Sequence, residues 1–232
     1  MKIVILCGGL GSRLSEETKI KPKPMVKIYD KPILIHIMYF YYKYGFNQFI
    51  LATGYKSSYI KNYFNKKKFP FKIKIIYTGK NTMTGGRLLR LKKLFKEKED
   101  FMLTYGDGLS NHNLLKLVKF HKTNKKIATL TAVRPPVRFG ELSIKNTLVT
   151  SFKEKPQFND KWINGGFFVF NYKIFNYIKN DQIMLEREPL SKLSKNKQLM
   201  AYKHKGFWQC MDNMRDKILL AKLVKSKNTP WL

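Results

Sequence analysis

The glycine-rich stretch near the N-terminus contains residue types that could bind phosphate. An apolar run at residues 3–6 predicts a buried strand, and the chemistry-bearing residues after it are Gly8, Gly9, Gly11, Ser12 and Arg13. Closely spaced glycines expose backbone N–H groups that can turn toward an anion, and the missing Cβ atoms leave room for a large ligand. The guanidinium of Arg13 carries a permanent charge that suits phosphate oxygens. We therefore predict a phosphate site here.

A lysine–proline repeat shortly afterwards strengthens this prediction. Residues 21–24 read Lys-Pro-Lys-Pro, and prolines at alternate positions fix φ and keep the preceding residues extended. Lys23 is thereby held in place, as a lysine that meets a phosphate must be. The alternative is an ordinary glycine turn, since neither G-x-x-x-x-G-K-[ST] nor G-x-G-x-x-G is present. The glycines, Arg13 and Lys23 together favour the site of a nucleotide phosphate.

The composition predicts a folded cytoplasmic protein. The chain has 232 residues, of which 44% are hydrophobic, so it can form a sizeable core. No apolar run approaches the ~20 residues of a membrane span, so we expect no membrane partner. Residues 3–7 are too short for the core of a signal peptide. The two cysteines, Cys7 and Cys210, form neither a disulfide framework nor a metal-ligand pattern.

The charge of the chain is strongly positive. It has 46 Lys and Arg against 15 Asp and Glu, a formal net charge of +31, which would ordinarily indicate a nucleic-acid or anionic partner. The lysines are spread along the chain, however, and no zinc, basic-zipper or aromatic RNA-binding motif is present. Lys, Ile, Asn, Phe and Tyr share A/T-rich codons, so genome composition can account for the charge. We expect a solvated surface and no specific nucleic acid partner.

Strands that alternate with helices must position these residues. The patterns predict helices over residues 31–44, 55–64, 88–95 and 113–121, and strands over residues 3–6, 49–52, 73–77, 101–104 and 127–132. Shorter strands follow at residues 141–144, 148–152 and 166–170. We predict an α/β fold with a Rossmann-like, mostly parallel sheet flanked by helices and a small C-terminal β/α elaboration. Residues 1–232 are expected to form a single domain.

Further polar residues follow strands or turns. In an open parallel sheet, ligands bind beyond the carboxyl ends of the strands, so Asp107 and the glycine loop should face one crevice. The other candidates are Thr82 and Arg87 in a Thr-Met-Thr-Gly-Gly-Arg segment, Glu154 and Lys155 before a proline, Asn164 before two glycines, and Asp212 after a short strand. Alone, Asp107 is more simply a turn residue, Asp212 a helix N-cap and Glu154-Lys155 surface charge. The four histidines show no metal spacing and receive no role.

The order of these motifs resembles the sugar-1-phosphate nucleotidyltransferases, from residue 1 to about residue 231. The segments GGLGSRLSEETKIKPKPM, MTGGRL, TYGDG, FKEKP, WINGGFF and FWQCMDNMRDK are most similar to the glucose-1-phosphate cytidylyltransferase branch. The chain departs from the family at Cys7, where Ala is usual, and at Cys210, where Pro is usual. The segment at residues 65–80 is also shorter than the one that members commonly carry. The oligomer that the resemblance implies is a homo-oligomer.

The resemblance implies that CTP and glucose 1-phosphate react to CDP-glucose and pyrophosphate with Mg²⁺. It implies that Arg13 and Lys23 are catalytic and that Asp107 and Asp212 bind the metal ion. The nucleotide contacts that it implies are Leu6, Cys7, Gly8, Gly9, Leu10, Gly11, Ser12, Arg13, Lys23, Thr82, Arg87 and Gly106. The implied contacts of the sugar phosphate are Glu154, Lys155, Asn164 and Gly165.

Two alternatives remain open at this point. One is a related nucleotidyltransferase that uses another base or sugar phosphate, and the weaker one is a basic nucleic-acid-binding protein without turnover. The cysteines give a separate hypothesis. Cys210 lies two residues before Asp212 and so shares its face of a strand. Nearby Arg and Lys side chains could lower the pKa of its thiol and make it reactive, whereas we expect Cys7 to be a buried hydrophobe.

Overall fold

The computed structural model describes residues 1–135, 140–154 and 161–232. The strands are β1 (Ile3–Cys7), β2 (Lys27–Ile28), β3 (Lys31–Pro32), β4 (Gln48–Thr53), β5 (Lys72–Tyr77), β6 (Asp100–Tyr105), β7 (Gly108–Ser110), β8 (Ala128–Val133), β9 (Glu141–Lys145), β10 (Leu148–Lys153), β11 (Ile163–Asn171), β12 (Leu199–His204) and β13 (Trp208–Cys210). The α-helices are α1 (Ser15–Thr18), α2 (Ile33–Lys43), α3 (Ser57–Asn65), α4 (Thr84–Leu89), α5 (Leu114–Asn124), α6 (Glu188–Lys195) and α7 (Met214–Lys225). Short 3₁₀ turns lie at Ser12–Leu14, Lys23–Met25, Lys92–Leu94 and Tyr172–Tyr177.

Seven strands form one sheet, in the order β12-β8-β11-β6-β1-β4-β5. Its neighbouring pairs are parallel except those of β11, which runs antiparallel to both β6 and β8. The predicted mostly parallel sheet is therefore confirmed. Because the carboxyl ends of β1, β4 and β6 share one edge of the sheet, the loops that follow them meet there.

The sheet is buried on both faces, as a helix-covered parallel sheet should be. Alternate residues of β1 point to opposite faces: Ile3 and Ile5 pack with α2, whereas Val4 and Leu6 pack with Leu88 of α4. All four side chains are under 10% exposed. The apolar run of β1 therefore places the end of this strand, where the glycine loop begins, in the middle of the protein.

No helix in the described part of the chain is long and apolar enough to cross a membrane.

The prediction of a helix over residues 88–95 is wrong in its bounds. The helix begins at Thr84 and ends at Leu89, and a 3₁₀ turn at Lys92–Leu94 follows. Leu88, Leu91 and Leu94 are spaced by three, a spacing that a tight 3₁₀ turn satisfies as well as an α-helix does. The glycine-containing MTGGR segment is thus the first turn of α4, and its Gly85 and Gly86 N–H groups bond to the carbonyl of Ile183.

Two elements after residue 180 were not predicted. Strand β12 joins the sheet beside β8, but it is an edge strand with half-buried and exposed side chains, so it lacks an apolar alternation. Helix α6 is short and carries its apolar residues on one narrow face. The N-cap of α7 is Asn213, which forms a capping box with Asp216, so the alternative of Asp212 as the N-cap is wrong.

Candidate active site

The carboxyl-end edge of the sheet forms a cavity of about 600 Å³, which we call the glycine-loop cleft. Its lining includes the predicted residues Leu6, Cys7, Gly8, Gly9, Gly11, Ser12, Arg13, Lys23, Thr82, Arg87, Gly106, Asp107, Asn164 and Asp212. It also includes residues that were not predicted, which are Pro24, Met83, Thr84, Tyr105, Met184, Glu186 and Trp208. Cys210 lines the cleft as well, as expected from its position two residues before Asp212. The folded chain therefore brings together motifs that lie as far apart as residues 6 and 212.

The glycine loop has a backbone that requires glycine at two positions. Gly11 has a φ of 68°, and a Cβ atom there would lie 2.9 Å from Thr18 Cγ2. At Gly8, a Cβ atom would lie 2.2 Å from Arg87 Nη1, so this glycine makes room for a protein side chain. The expectation that glycine makes room for the ligand fits Gly9 instead, because nothing lies within 4 Å of a Cβ atom there.

Arg87 is buried behind this loop and binds the backbone. Its guanidinium donates to the carbonyls of Gly8 (2.9 Å), Thr53 (3.2 Å) and Gly79 (2.6 Å), and also to Thr78 Oγ1 and the Lys80 carbonyl. Burial lowers the pKa of Arg87 from its usual range. With its donors used in this way, Arg87 fixes the glycine loop against β4 and the following segments. Arg87 also lines the cleft, and the direct nucleotide contact that the resemblance implied for it stays a prediction.

Lys23 lines the cleft and contacts two of its acidic side chains. Its Nζ donates to Asp107 Oδ2 at 2.6 Å and to Asp212 Oδ1 at 2.8 Å, and its side chain is 12% exposed. The 3₁₀ turn Lys23–Met25 after the extended Pro22 holds it there. Burial alone would lower the pKa of Lys23, but the two carboxylates outweigh it and raise that pKa above its usual range. Lys23 is therefore an ammonium ion held in a fixed place.

Asp212 contacts a second cation at the mouth of the cleft. Arg13 Nη1 donates to Asp212 Oδ2 at 2.8 Å, while the Arg13 side chain is 74% exposed. Burial opposes ionisation of Asp212, but Lys23 and Arg13 prevail and lower its pKa. Since Asp107 and Asp212 contact the same nitrogen of Lys23, their oxygens lie within two hydrogen-bond lengths of each other. Carboxylate oxygens are the donors that hard divalent ions prefer, and no third such ligand joins them among the described residues.

Tyr105, Thr84 and Glu186 form a hydrogen-bonded group that also lines the cleft. The Tyr105 hydroxyl donates to Glu186 Oε1, and Thr84 Oγ1 donates to Glu186 Oε2 at 2.6 Å. Burial and the neighbouring Glu186 carboxylate raise the pKa of Tyr105, which keeps its hydroxyl protonated. Tyr105 could have been found from the sequence, because it ends a strand next to Gly106. Glu186 comes from the segment before α6 and carries no local signal.

Some predicted residues lie outside the cleft. The side chain of Leu10 is 56% exposed, and Glu154 at the end of β10 does not line the cavity. Gly165 lines an adjoining recess of about 50 Å³, where its carbonyl accepts from Trp208 Nε1 at 2.7 Å. Lys155 falls outside the described residues.

The cysteines differ in exposure but share a raised pKa. Cys7 is 1% exposed, and burial raises the pKa of its thiol, as expected of a buried hydrophobe. Cys210 lines the cleft, and its Sγ lies 3.6 Å from Asp212 Oδ2. Burial, followed by the carboxylates of Asp212 and Asp107, raises the pKa of Cys210 to about 12. The hypothesis of a lowered pKa is therefore wrong, because Cys210 faces carboxylates rather than cations.

A larger cavity of about 820 Å³ lies at the opposite edge of the sheet. Its lining includes Lys98, Lys122, Lys125, Lys126 and Lys173, and none of the predicted site residues. It lies where β6 and β8 begin rather than where they end. The motif residues thus select the smaller cavity as the candidate active site.

The comparisons with known proteins assign the chain to a family. The family model described as nucleotidyl transferase matches residues 2–214. The glucose-1-phosphate cytidylyltransferase of Salmonella typhimurium is 45% identical over 253 aligned positions, which cover 100% of this chain and 98% of that protein. The probable glucose-1-phosphate cytidylyltransferase of Bacillus subtilis is 40% identical over 100% of this chain and 99% of its own length.

A solved structure shows the same fold. HddC from Yersinia pseudotuberculosis, complexed with GMP-PN, superposes with a TM-score of 0.77 at 25% identity and covers 96% of this chain and 99% of its own. The Salmonella alignment has 253 positions against 232 residues here, so that relative carries residues that this chain lacks. The cleft, its strand-end motifs and the full-length similarity lead to one conclusion: the chain belongs to the nucleotidyl transferase family, and within it to the glucose-1-phosphate cytidylyltransferases.

Proposed function

We propose that this protein transfers the cytidylyl group of CTP to α-D-glucose 1-phosphate and releases pyrophosphate, with CDP-glucose as the product. The observation that carries the proposal is the contact of Lys23 with Asp107 and Asp212 beside the glycine loop. This arrangement combines an immobile cation with two acidic side chains at the strand edge where nucleotides bind in such folds. The 45% identity along the whole chain supports the choice of CTP and glucose 1-phosphate.

The reaction needs no general base on the protein. An oxygen of the sugar phosphate attacks the α-phosphorus of CTP, the bond to the β-phosphate oxygen breaks, and pyrophosphate leaves with that electron pair. The attacking phosphate is already an anion, so the barrier consists of bringing two polyanions together and stabilising the charge that develops. Fixed cations serve this purpose better than mobile ones do.

The residues divide into roles by their place in the cleft. Backbone groups of Gly8–Gly11 and the hydroxyl of Ser12 bind the triphosphate, and Lys23 faces the α-phosphate. Arg13 is exposed and contacts Asp212, and it binds the leaving phosphates. Thr82 and Gly106 contact the nucleoside side, while Arg87 holds the loop. Asn164 and Gly165 lie on the sugar side, where Glu154 and Lys155 are also proposed to act.

A divalent metal ion fits the two carboxylates. Nucleotidyl transferases generally use such an ion, and we propose Mg²⁺, bound by Asp107 and Asp212. The fit rests on the donor set, which is two carboxylate groups held close together by their contacts with Lys23 Nζ. When bound, the ion would neutralise phosphate charge in the transition state. Lys23, which contacts both carboxylates, keeps them in position.

The remaining proposals concern the protein as a whole. We propose that residues 1–232 act as one nucleotidyltransferase domain, in support of which the family model spans residues 2–214. Because CTP and sugar phosphates are metabolites of the cytoplasm, that is the proposed compartment. We also propose a homo-oligomer, although the segment at residues 65–80 is shorter than the one that family members commonly carry.

A turnover panel tests the proposal. The protein is incubated with Mg²⁺ and each combination of four nucleoside triphosphates and several sugar 1-phosphates, and released pyrophosphate is measured. We expect the highest kcat/KM with CTP and glucose 1-phosphate. Faster turnover of another pair would assign the protein to a related nucleotidyltransferase activity, and an absence of turnover with every pair would refute the proposal.

A further inference from the structure

Glu186 is an acidic side chain in the glycine-loop cleft without an assigned role. It lies two residues before α6 and is half-buried. Both of its carboxylate oxygens are held by hydroxyl donors, Oε1 by Tyr105 and Oε2 by Thr84 at 2.6 Å. The N–H of Leu185 donates to Thr84 Oγ1 at 2.9 Å, which fixes the orientation of that hydroxyl. The carboxylate is therefore oriented before any ligand binds.

Within residues 1–135, 140–154 and 161–232, no cation balances the charge of Glu186. Asp107 and Asp212 each contact Lys23, and Asp212 also contacts Arg13. Among the residues that the structure describes, no Lys, Arg or His forms an ion pair with Glu186. An unneutralised carboxylate repels phosphate groups, so the part of a ligand next to it must be uncharged. In a nucleotide and a sugar phosphate, the uncharged and hydrogen-bonding parts are the hydroxyl-bearing rings.

Each oxygen of Glu186 keeps capacity for another hydrogen bond. An ionised carboxylate has about four acceptor positions, and the two hydroxyl donors use two of them. Hydrogen bonds from a hydroxyl to a charged acceptor are short and strong. Glu186 can thus accept from one or two ligand hydroxyls without losing Tyr105 or Thr84.

The neighbours of Glu186 place it toward the sugar. Tyr105 and Asn164 both line the cleft and the adjoining recess, and Asn164 Oδ1 accepts from the N–H of Gly166 at 2.9 Å. Glu186, Tyr105 and Asn164 thus form one connected wall. Asn164 belongs to the sugar side in the proposed function, whereas the glycine loop lies at the end of β1. This wall therefore faces the hexosyl ring rather than the triphosphate.

We propose that Glu186 determines sugar specificity by accepting a hydrogen bond from a hydroxyl of the hexosyl ring. The proposal rests on the proposed function, since it names the part of the sugar phosphate that this side chain recognises. A hydroxyl of the ribose in CTP could donate the same hydrogen bond. The experiment separates the two ligands by showing whether the binding of glucose 1-phosphate or of CTP changes.

The experiment compares Glu186→Gln and Glu186→Ala with the control Glu188→Gln. Glu188 begins α6, lies outside the cleft and pairs with Lys192 at the surface. We expect both Glu186 variants to raise KM for glucose 1-phosphate about 10- to 100-fold, the effect of losing a hydrogen bond to a charged group. KM for CTP should stay within about twofold of the wild-type value, and the control should match the wild type. Thermal denaturation of each variant shows whether it is folded.

Deoxy sugars then identify the hydroxyl. The wild-type enzyme is assayed with glucose 1-phosphates that lack one hydroxyl each, and one of them should lose about as much kcat/KM as Glu186→Gln loses with the complete sugar. With that deoxy sugar, kcat/KM of Glu186→Gln should be no lower than that of the wild type. A rise in KM for CTP alone would assign Glu186 to the ribose and overturn the proposal, and wild-type kinetics in Glu186→Gln would overturn it as well.

Binding measurements keep this test separate from that of the proposed function. Titration calorimetry with glucose 1-phosphate and with CTP, in the absence of turnover, gives the affinity of each ligand for the wild type and for Glu186→Gln. A selective loss of glucose 1-phosphate binding supports the role of Glu186 even if no product forms. Product formation by the wild type together with equal sugar binding in the variant refutes the role of Glu186 alone.

Discussion

At the scale of single residues, Lys23, Asp107 and Asp212 act as one electrostatic unit. Each carboxylate contacts the same Lys23 nitrogen, at 2.6 and 2.8 Å. A change at either aspartate therefore alters both the proposed metal site and the environment of the cation. It also removes a group that raises the pKa of Lys23, although that amine remains protonated at neutral pH.

Asp107→Asn and Asp212→Asn should each lower kcat by about a hundredfold or more, because an amide oxygen cannot supply the negative charge. The melting temperature should change by only a few degrees, since the shape of the side chain is kept. Asp30→Asn is the control, because Asp30 is exposed and pairs with Lys31 at 3.6 Å. Removal of divalent ions with EDTA should abolish turnover in the wild type. Full activity of either cleft variant with Mg²⁺ would refute the metal assignment.

Cys210 should resist alkylation in the folded protein. With a pKa of about 12 instead of the ordinary 9.0, its thiolate fraction at neutral pH is lower by about a thousandfold. Iodoacetamide at about pH 7.5 should leave activity and mass unchanged over a period in which the urea-unfolded chain is modified at both cysteines. Rapid inactivation of the native enzyme, slowed by CTP, would show that carboxylates do not control this thiol.

At the scale of elements, the position of the glycine loop depends on the side chain of Arg87, which lies in α4. The guanidinium joins the loop after β1 to the loops after β4 and β5 through five acceptors. Its planar fork makes these bonds in two directions, and a lysine ammonium cannot reproduce them. We therefore expect Arg87 to act on the nucleotide through the loop.

Arg87→Lys should destabilise the protein and weaken CTP binding together. Each buried acceptor that loses its donor costs about 1–3 kcal/mol, so the melting temperature should fall by several degrees and KM for CTP should rise about tenfold. Arg90→Lys is the matched control, because Arg90 lies on the surface and pairs with Asp181. If Arg87 bound phosphate directly, CTP affinity would fall while stability stayed at the wild-type level.

Most of the helices and strands could be predicted from the sequence, because the patterns that indicate them are local. The apolar run of β1, the prolines around Lys23 and the glycines around Asp107 each depend on a few neighbouring residues. By contrast, β12 is recognisable only through its pairing with β8. Glu186 and Trp208 reach the cleft through chain reversals whose geometry no short pattern encodes. The hydrogen bonds of Arg87 could not be predicted for a similar reason, since its acceptors lie at residues 8, 53 and 78–80.

At the scale of the whole molecule, the charge and the buried histidines govern the response to solution conditions. The formal net charge of +31 produces a positive field that attracts a nucleotide triphosphate and weakens as salt is added. It does not by itself indicate a nucleic-acid-binding protein, because the chain belongs to a family of enzymes.

Acid should destabilise the fold through His112 and His36. Burial lowers the pKa of His112 to about 3, aided by His204, and burial lowers that of His36 to about 4. The unfolded chain binds these protons near the ordinary value of 6.5, so stability is retained above that pH and is lost as the pH falls below it. Between pH 6.5 and about pH 5, each histidine should cost about 2 kcal/mol.

Urea unfolding at about pH 7.5 and about pH 5 measures this loss. In His112→Asn, the difference between the two midpoints should shrink, whatever the absolute stability of the variant. An unchanged difference would show that His112 is not the group that takes up the proton on unfolding.

The central claim is the transfer of a cytidylyl group to glucose 1-phosphate, and phosphorus NMR of a single incubation tests it most directly. With CTP, Mg²⁺ and glucose 1-phosphate, the account predicts that the signals of both substrates decrease as those of CDP-glucose and pyrophosphate appear in equal amounts. The same mixture with Asp107→Asn should show almost no change over that time. Unchanged substrates with the wild type, or phosphate release without a nucleotide sugar, would contradict the account.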